Sequence, residues 1–185
     1  MDYQQKEEYA IILDFLPNGY PFDTRQMQRK LPIAQALGEK SFTLLELAPK
    51  KELSLQPNQR VYIGEGKRDD IHHIIGRIPL SKLTETAKGE LEFIIKDLVQ
   101  KTPQQFIEFF NKCGPINTRR HQLELLPGIG KKHMWEILEQ RKEKPFESFD
   151  DIKKRIKLLP DPEKTVIKRI LAELDEKDKY KVFTR

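Results

Sequence analysis

Leu125-Leu126-Pro127-Gly128-Ile129-Gly130-Lys131-Lys132 interrupts one helical pattern and starts another. The spacing predicts a helix ending at Leu125-Leu126, a tight connection over Pro127–Gly130, and a second helix from Lys131 with Met134, Ile137 and Leu138 on one face. Without Cβ atoms, Gly128 and Gly130 can take left-handed conformations and let a phosphate approach the main chain. The N–H groups at the start of the next helix lie at its positive end and hydrogen-bond phosphate oxygens well. Ile129 is expected to plug the hairpin into its own core. Lys131 and Lys132 add charge at the connection, with Arg119, Arg120 and His133 nearby and His121 as a further phosphate donor. Such contacts position a protein on a strand without reading bases. The expectation is therefore nucleic-acid binding without sequence specificity, RNA placed ahead of DNA.

Charge supports the same segment. The 185 residues carry a net +5, and Lys112–Lys157 holds 12 basic and 7 acidic residues, so the rest of the chain sums to zero. An excess confined to one segment is the footprint of a polyanion-binding element. With 34% charged residues and a mean hydropathy of −0.67, the chain is predicted to be a soluble cytoplasmic protein. Its longest apolar run, Tyr9–Leu13, falls far short of the ~20 residues a membrane helix needs. One cysteine, Cys113, excludes an internal disulfide, and with four histidines it excludes a standard structural zinc site. No cofactor is implied.

Residues 1–84 read as a small β domain. Short apolar stretches at Tyr9–Leu16, Leu31–Leu37, Ser41–Ala48, Arg60–Glu65 and His72–Leu80 alternate with turn signals, Gly38-Glu39 reads as a tight hairpin, and Gly19–Lys30 reads as a loop. Five strands without a covering helix suggest a small closed or partly open barrel, an OB-like fold first, since full closure removes edge strands. Residues 85–185 read as an all-α domain, making the chain α+β with two domains. Leu91, Ile94, Ile95, Leu98 and Val99 share one helical face. Thr102-Pro103 starts the next helix, which carries Phe106, Phe109, Phe110 and Cys113 at i, i+3, i+4 and i+7, with Cys113 expected as a buried thiol. A helix-hairpin-helix is placed at 118–142. Shifting the chain by 33 residues aligns Leu126-Pro127 with Leu159-Pro160, but the glycines become Asp161 and Glu163. Those acids repel phosphate, so the second hairpin is expected to be degenerate, with Asp161 and Pro162 acting as an N-cap and first turn.

The Leu-Pro-Gly-Ile-Gly-Lys-Lys run, followed by Arg141 through Pro145-Phe146 and Ser148-Phe149-Asp150-Asp151, resembles the tandem helix-hairpin-helix proteins of DNA repair, recombination and uptake. More broadly, Ala34–Glu39 with Phe42–Leu47, Arg60–Gly64 and His121–Gly128 resemble an archaeal family called domain of unknown function 655. The resemblance implies an OB-fold nucleic-acid-binding protein with a helix-hairpin-helix, and supplies no substrate.

Other candidates are weaker. Lys132 and Asp150 stand where helix-hairpin-helix DNA glycosylases, by resemblance, carry their catalytic lysine and aspartate. A capping pair at Ser148 and Asp151, and the lack of aromatic walls, favour a binding protein over an enzyme. Tyr20 and Tyr62, with Phe22 and Phe42, are candidates for base stacking. Trp135 is expected to anchor the hairpin pair. His72 and His73 are expected on opposite strand faces, one buried and one exposed. An alternative role is an adaptor docking on ribosomal or polymerase proteins.

Overall fold

The computed structural model describes residues 6–21 and 31–185. Phe22 and most of the predicted Gly19–Lys30 loop lie outside them. The chain divides into two compact units: Met1–Ile94 with Leu174–Glu176 and Phe183–Arg185, and Ile95–Glu173 with Lys177–Val182.

The first unit is built on strands β1 (Tyr9–Leu16), β2 (Ile33–Gly38), β3 (Leu44–Pro49), β4 (Arg60–Tyr62) and β5 (Ile71–Arg77). All pairs are antiparallel, in the order β4-β1-β2-β3-β5. Alternation puts Ala10, Ile12, Ala34, Ala36, Leu45, Leu47 and Val61 into one core with Ile63 and Ile71. Irregular pairing at Ile12/Asp14, Glu46/Leu47 and Ala48/Pro49 bends the strands, and the sheet curls into a half-barrel. Of the closed or partly open barrel expected, the partly open one forms, because β4 and β5 are both edges. Each runs antiparallel to one of two strands that share a direction, so β4 and β5 point the same way. The eight residues between them are too few for a parallel crossover, which takes about a dozen or more.

The β2–β3 turn is also longer than the predicted two residues. Gly38 N–H donates to the Thr43 carbonyl (2.8 Å), and the Glu7 carboxylate accepts the N–H groups of Lys40 and Ser41 (2.8 Å each) inside the loop. Helix α1 (Glu85–Lys101) starts at Thr84, whose hydroxyl accepts the Ala87 N–H (3.1 Å).

The second unit holds the end of α1, then α2 (Gln104–Lys112), α3 (Lys131–Glu143), α4 (Phe149–Arg155) and α5 (Pro162–Leu174). It is not all-α. A ribbon of β6 (Pro115–Asn117) and β7 (Arg120–His121) leads into a 3₁₀ turn at Gln122–Leu125, where an α-helix was expected. The Asn117 side chain accepts the N–H groups of Arg119 (2.9 Å) and Arg120 (3.0 Å), and that local turn competes with helix at 117–120. At α2 the expected Thr102 cap is absent, since its hydroxyl donates back to the Leu98 carbonyl (2.8 Å). Phe106, Phe110, Leu123, Met134, Ile137 and Ile152 are buried, as is Cys113, whose thiol burial pushes up to about 11.

Arg169 on α5 is buried in this unit together with Glu173, its side chain 5% exposed. It donates to Glu173 (2.8 Å), the Leu125 carbonyl (3.1 Å), Asp178 (2.8 Å) and the Tyr180 carbonyl. Arg169→Met strands a buried Glu173 carboxylate and is expected to cost about 3–5 kcal/mol. Adding Glu173→Leu removes the stranded charge and is expected to recover part of the loss. Urea titration of both variants checks this, and equal stability of wild type and Arg169→Met would refute it.

Candidate nucleic-acid interface

The hairpin is closed by the Ile129 N–H donating to the Leu126 carbonyl (3.1 Å). Gly128 has φ +80°, and a Cβ there would stand 2.9 Å from Pro160 Cγ. It is glycine both for its left-handed conformation and for close packing on the Leu159-Pro160 loop. Gly130 does not use that freedom: with φ −95° and ψ −170° it is extended, and a Cβ would meet nothing within 4 Å. What its missing side chain leaves is open space at the helix start. Ile129 is buried, as predicted.

Gly130 is the N-cap of α3 and offers no side-chain cap. The first helical bond runs from the Met134 N–H to the Gly130 carbonyl (2.9 Å). The N–H groups of Lys131, Lys132 and His133 therefore precede any intrahelical acceptor. They sit at the positive end of a 13-residue helix.

The surrounding cations divide into two kinds. Lys131 is engaged: its ammonium donates to the Arg119 carbonyl (2.8 Å) and pairs with Glu124 (3.1 Å), which pins the β6–β7 turn beside the first turn of α3. Lys132 and Arg119 have exposed side chains without partners among the described residues. Arg120 is exposed and lies 5.7 Å over the Tyr180 ring. His133 is half-buried, with Nδ1 3.2 Å from Glu136. Two further cations of the basic segment serve the fold. Arg141 donates to the Phe110 (3.2 Å) and Cys113 (2.9 Å) carbonyls, and Arg155 to the Lys144 (2.8 Å) and Gln140 carbonyls.

Several sequence expectations change here. His121, a candidate phosphate donor by sequence, is buried: its Nδ1 accepts the Leu123 N–H (3.1 Å), and Glu124 accepts the His121 N–H (2.8 Å), a capping box on the 3₁₀ turn. That backbone N–H, with Lys131, holds the Glu124 carboxyl below its usual range. Trp135 does not anchor the hairpin. Met134 and Ile137 take the buried face of α3, leaving the indole 59% exposed one turn beyond Lys131 and Lys132. The periodicity already placed Trp135 off that face, which was the available signal.

Tyr20 and Tyr62 are both engaged. The Tyr20 hydroxyl donates to Glu46 (2.7 Å) and accepts from Gln35 (3.0 Å). The Tyr62 hydroxyl accepts the Gly66 N–H (3.1 Å), and its ring packs edge-on against Tyr9 at 5.3 Å. Phe42 is buried. His72 and His73 are both exposed with Nδ1 atoms 2.8 Å apart, because the irregularity opposite Ala48/Pro49 breaks strict alternation. Asp150 is 81% exposed in the first turn of α4, 4.0 Å from Lys153. The capping pair beside it is present, with the Asp151 N–H donating to Ser148 Oγ (3.0 Å). At the second loop, Asp161 accepts the Lys164 N–H (3.1 Å) and pairs with Lys153 (2.8 Å), and Pro162 opens α5.

A family model described as "Protein of unknown function (DUF655)" matches residues 6–185. The uncharacterised protein MJ0038 of Methanocaldococcus jannaschii is 46% identical over 184 residues, covering 98% of this chain and 82% of its own. The crystal structure of Af1531 from Archaeoglobus fulgidus, given the same family, superposes with a TM-score of 0.84 at 46% identity. It covers 97% of this chain and 100% of that one.

Two outcomes are expected. Gly128→Ala, strained at positive φ and pressed on a rigid proline ring, costs about 1–2 kcal/mol or more, while Gly130→Ala stays within about 0.5 kcal/mol. Chemical denaturation separates them, and equal losses would contradict the two environments. For His121, burial foremost and then Arg141 lower the imidazole pKa. Protonation is thus harder folded than unfolded. His121 supports the fold fully above about pH 6.5 and withdraws support as pH falls through its depressed folded value. An NMR titration should place its midpoint below that of a free histidine. His121→Asn, which keeps a cap acceptor without titrating, should flatten that part of the stability curve.

Proposed function

The chain belongs to the DUF655 family, whose description assigns no activity, and we propose that it is a non-sequence-specific nucleic-acid-binding protein that holds phosphates at the start of α3. The carrying observation is the uncapped helix start at Gly130–His133, open at Gly130 and flanked by the free cations Lys132 and Arg119. In this reading the 118–142 segment is a helix-hairpin-helix whose first helix has shrunk to the 3₁₀ turn Gln122–Leu125, and the curled sheet is an OB-like half-barrel. The degenerate second loop supports the first: Pro160 packs on Gly128, and Asp161 spends its carboxylate on a cap. The protein acts in the cytoplasm on RNA ahead of DNA, and as a binder rather than an enzyme, since Asp150 is exposed at a helix start.

Main-chain N–H groups recognise phosphate whatever the base, so affinity should vary little among unrelated sequences and fall steeply with salt. Each cation that meets a phosphate contributes roughly 0.7–0.9 to the slope of log affinity against log salt. Lys132→Glu and Arg119→Glu should each reduce that slope and weaken binding similarly on unrelated strands. Gly130→Val, filling the open approach, should weaken binding while the fold stays intact. Fluorescence anisotropy with labelled single- and double-stranded RNA and DNA over a salt series measures this. Unchanged affinity in all three variants would make the hairpin a packing or protein-docking element.

A further inference from the structure

Arg77 ends β5 directly opposite Leu45 of β3, so the two side chains leave the sheet from the same face. Leu45 is in the core; Arg77 is an exposed charge at the mouth of that core. A cleft of about 560 Å³ opens there, bottomed by Leu45, Ile63 and Ile74 and walled by Arg68, Arg77 and Arg185. It lies where the half-barrel stays open, since Ile63 follows β4 and Ile74 and Arg77 belong to β5. That volume falls within the roughly 300–1,000 Å³ of small-ligand sites, and barrel mouths are a usual place for them.

The charges in the cleft do not cancel. Both acids are already spent. Glu7 accepts the N–H groups of Lys40 (2.8 Å), Ser41 (2.8 Å) and Thr43 (3.4 Å), and Glu65 is paired with Lys6 (2.8 Å). No carboxylate partner among the described residues reaches the three guanidiniums. Arg68 is oriented by its Nε donating to the Gly64 carbonyl (2.8 Å). Arg185 is placed by its own N–H donating to the Ser41 carbonyl (3.2 Å). A short apolar floor beneath three guanidiniums suits a ligand with a compact apolar body and a doubly charged oxyanion, since the planar fork of arginine matches phosphate geometry.

We propose that this cleft binds a nucleotide, with the base over Leu45, Ile63 and Ile74 and the phosphate on Arg68, Arg77 and Arg185. A fatty acyl chain would need a longer apolar channel than three side chains form, and an extended peptide would need alternating side-chain pockets along a strand edge. The nucleotide is either free or one unpaired unit of a strand, because both present the same base and phosphate. The site lies within the first unit and stands or falls independently of the hairpin.

The test is NMR titration of the isotopically labelled full chain with AMP, GMP, CMP and UMP, with adenosine and inorganic phosphate as partial ligands, and with a short uridine oligonucleotide. At least one mononucleotide or the oligonucleotide should shift the amides of Thr43, Leu45, Ile63, Gly64 and Ile74, binding at least tenfold more tightly than adenosine or phosphate alone. Equal mononucleotide and oligonucleotide affinities indicate a free nucleotide; a tenfold preference for the oligonucleotide indicates an unpaired unit of a strand. Arg77→Ala with Arg185→Ala should weaken binding at least tenfold with the amide spectrum otherwise preserved, and Arg77→Lys should recover part of it. Lys132→Glu should leave these cleft shifts unchanged. The proposal is overturned if no nucleotide or oligonucleotide shifts these amides at millimolar concentration. It is equally overturned if the double variant binds as the wild type does, or if an acidic peptide displaces the nucleotide at equal concentration.

Discussion

The buried guanidinium of Arg169 is the constraint on which the second unit depends. A desolvated cation is tolerated only when most of its donors are satisfied. Here they reach Glu173 on the same helix, the Leu125 carbonyl that ends the 3₁₀ turn, and Asp178 and the Tyr180 carbonyl in the segment that follows. Glu173 in turn accepts the Val182 N–H (2.8 Å). One side chain thus fixes where the hairpin begins and where residues 178–182 lie. The Tyr180 N–H and then Arg169 hold the Asp178 carboxyl below its usual range.

With Leu125 held from behind, the hairpin has one way to turn. Gly128 packs on Pro160, Ile129 fills the core, and α3 starts at Gly130 without a side-chain cap. Lys131 then binds the β6–β7 turn to that helix start through Glu124 and the Arg119 carbonyl, bringing Arg119 alongside. The basic excess of 112–157 therefore has two uses. Arg141, Arg155 and Lys131 satisfy carbonyls and carboxylates of the fold, while Lys132 and Arg119 keep their charges for solvent or a ligand. A net charge counts both kinds alike.

The first unit shows the same division of labour. Gln35, fully buried on β2, accepts the Thr84 N–H (2.9 Å) and donates to the Lys82 carbonyl and to Tyr20 (3.0 Å each), while Tyr20 and Lys82 meet Glu46. These polar groups tie the sheet to the start of α1. They also explain why an aromatic residue that suits base stacking by type is committed to a hydrogen-bond network by position.

Local rules decided much that was legible in the sequence. Alternation located five strands, the 3.6-residue period located α1 to α3, and Asp161 with Pro162 marked the start of α5, because each of these depends on neighbours within a few residues. Family membership was legible too, as it rests on residue identity. Long-range pairing determined the rest. Two strands of like direction with a short link left the barrel open; an asparagine turn replaced a helix with a ribbon; a capping box buried His121; and a broken alternation put His72 and His73 on one side. Sequence states which residues carry charge or an aromatic ring, whereas whether each is free depends on partners tens of positions away, and only the tertiary structure assigns those.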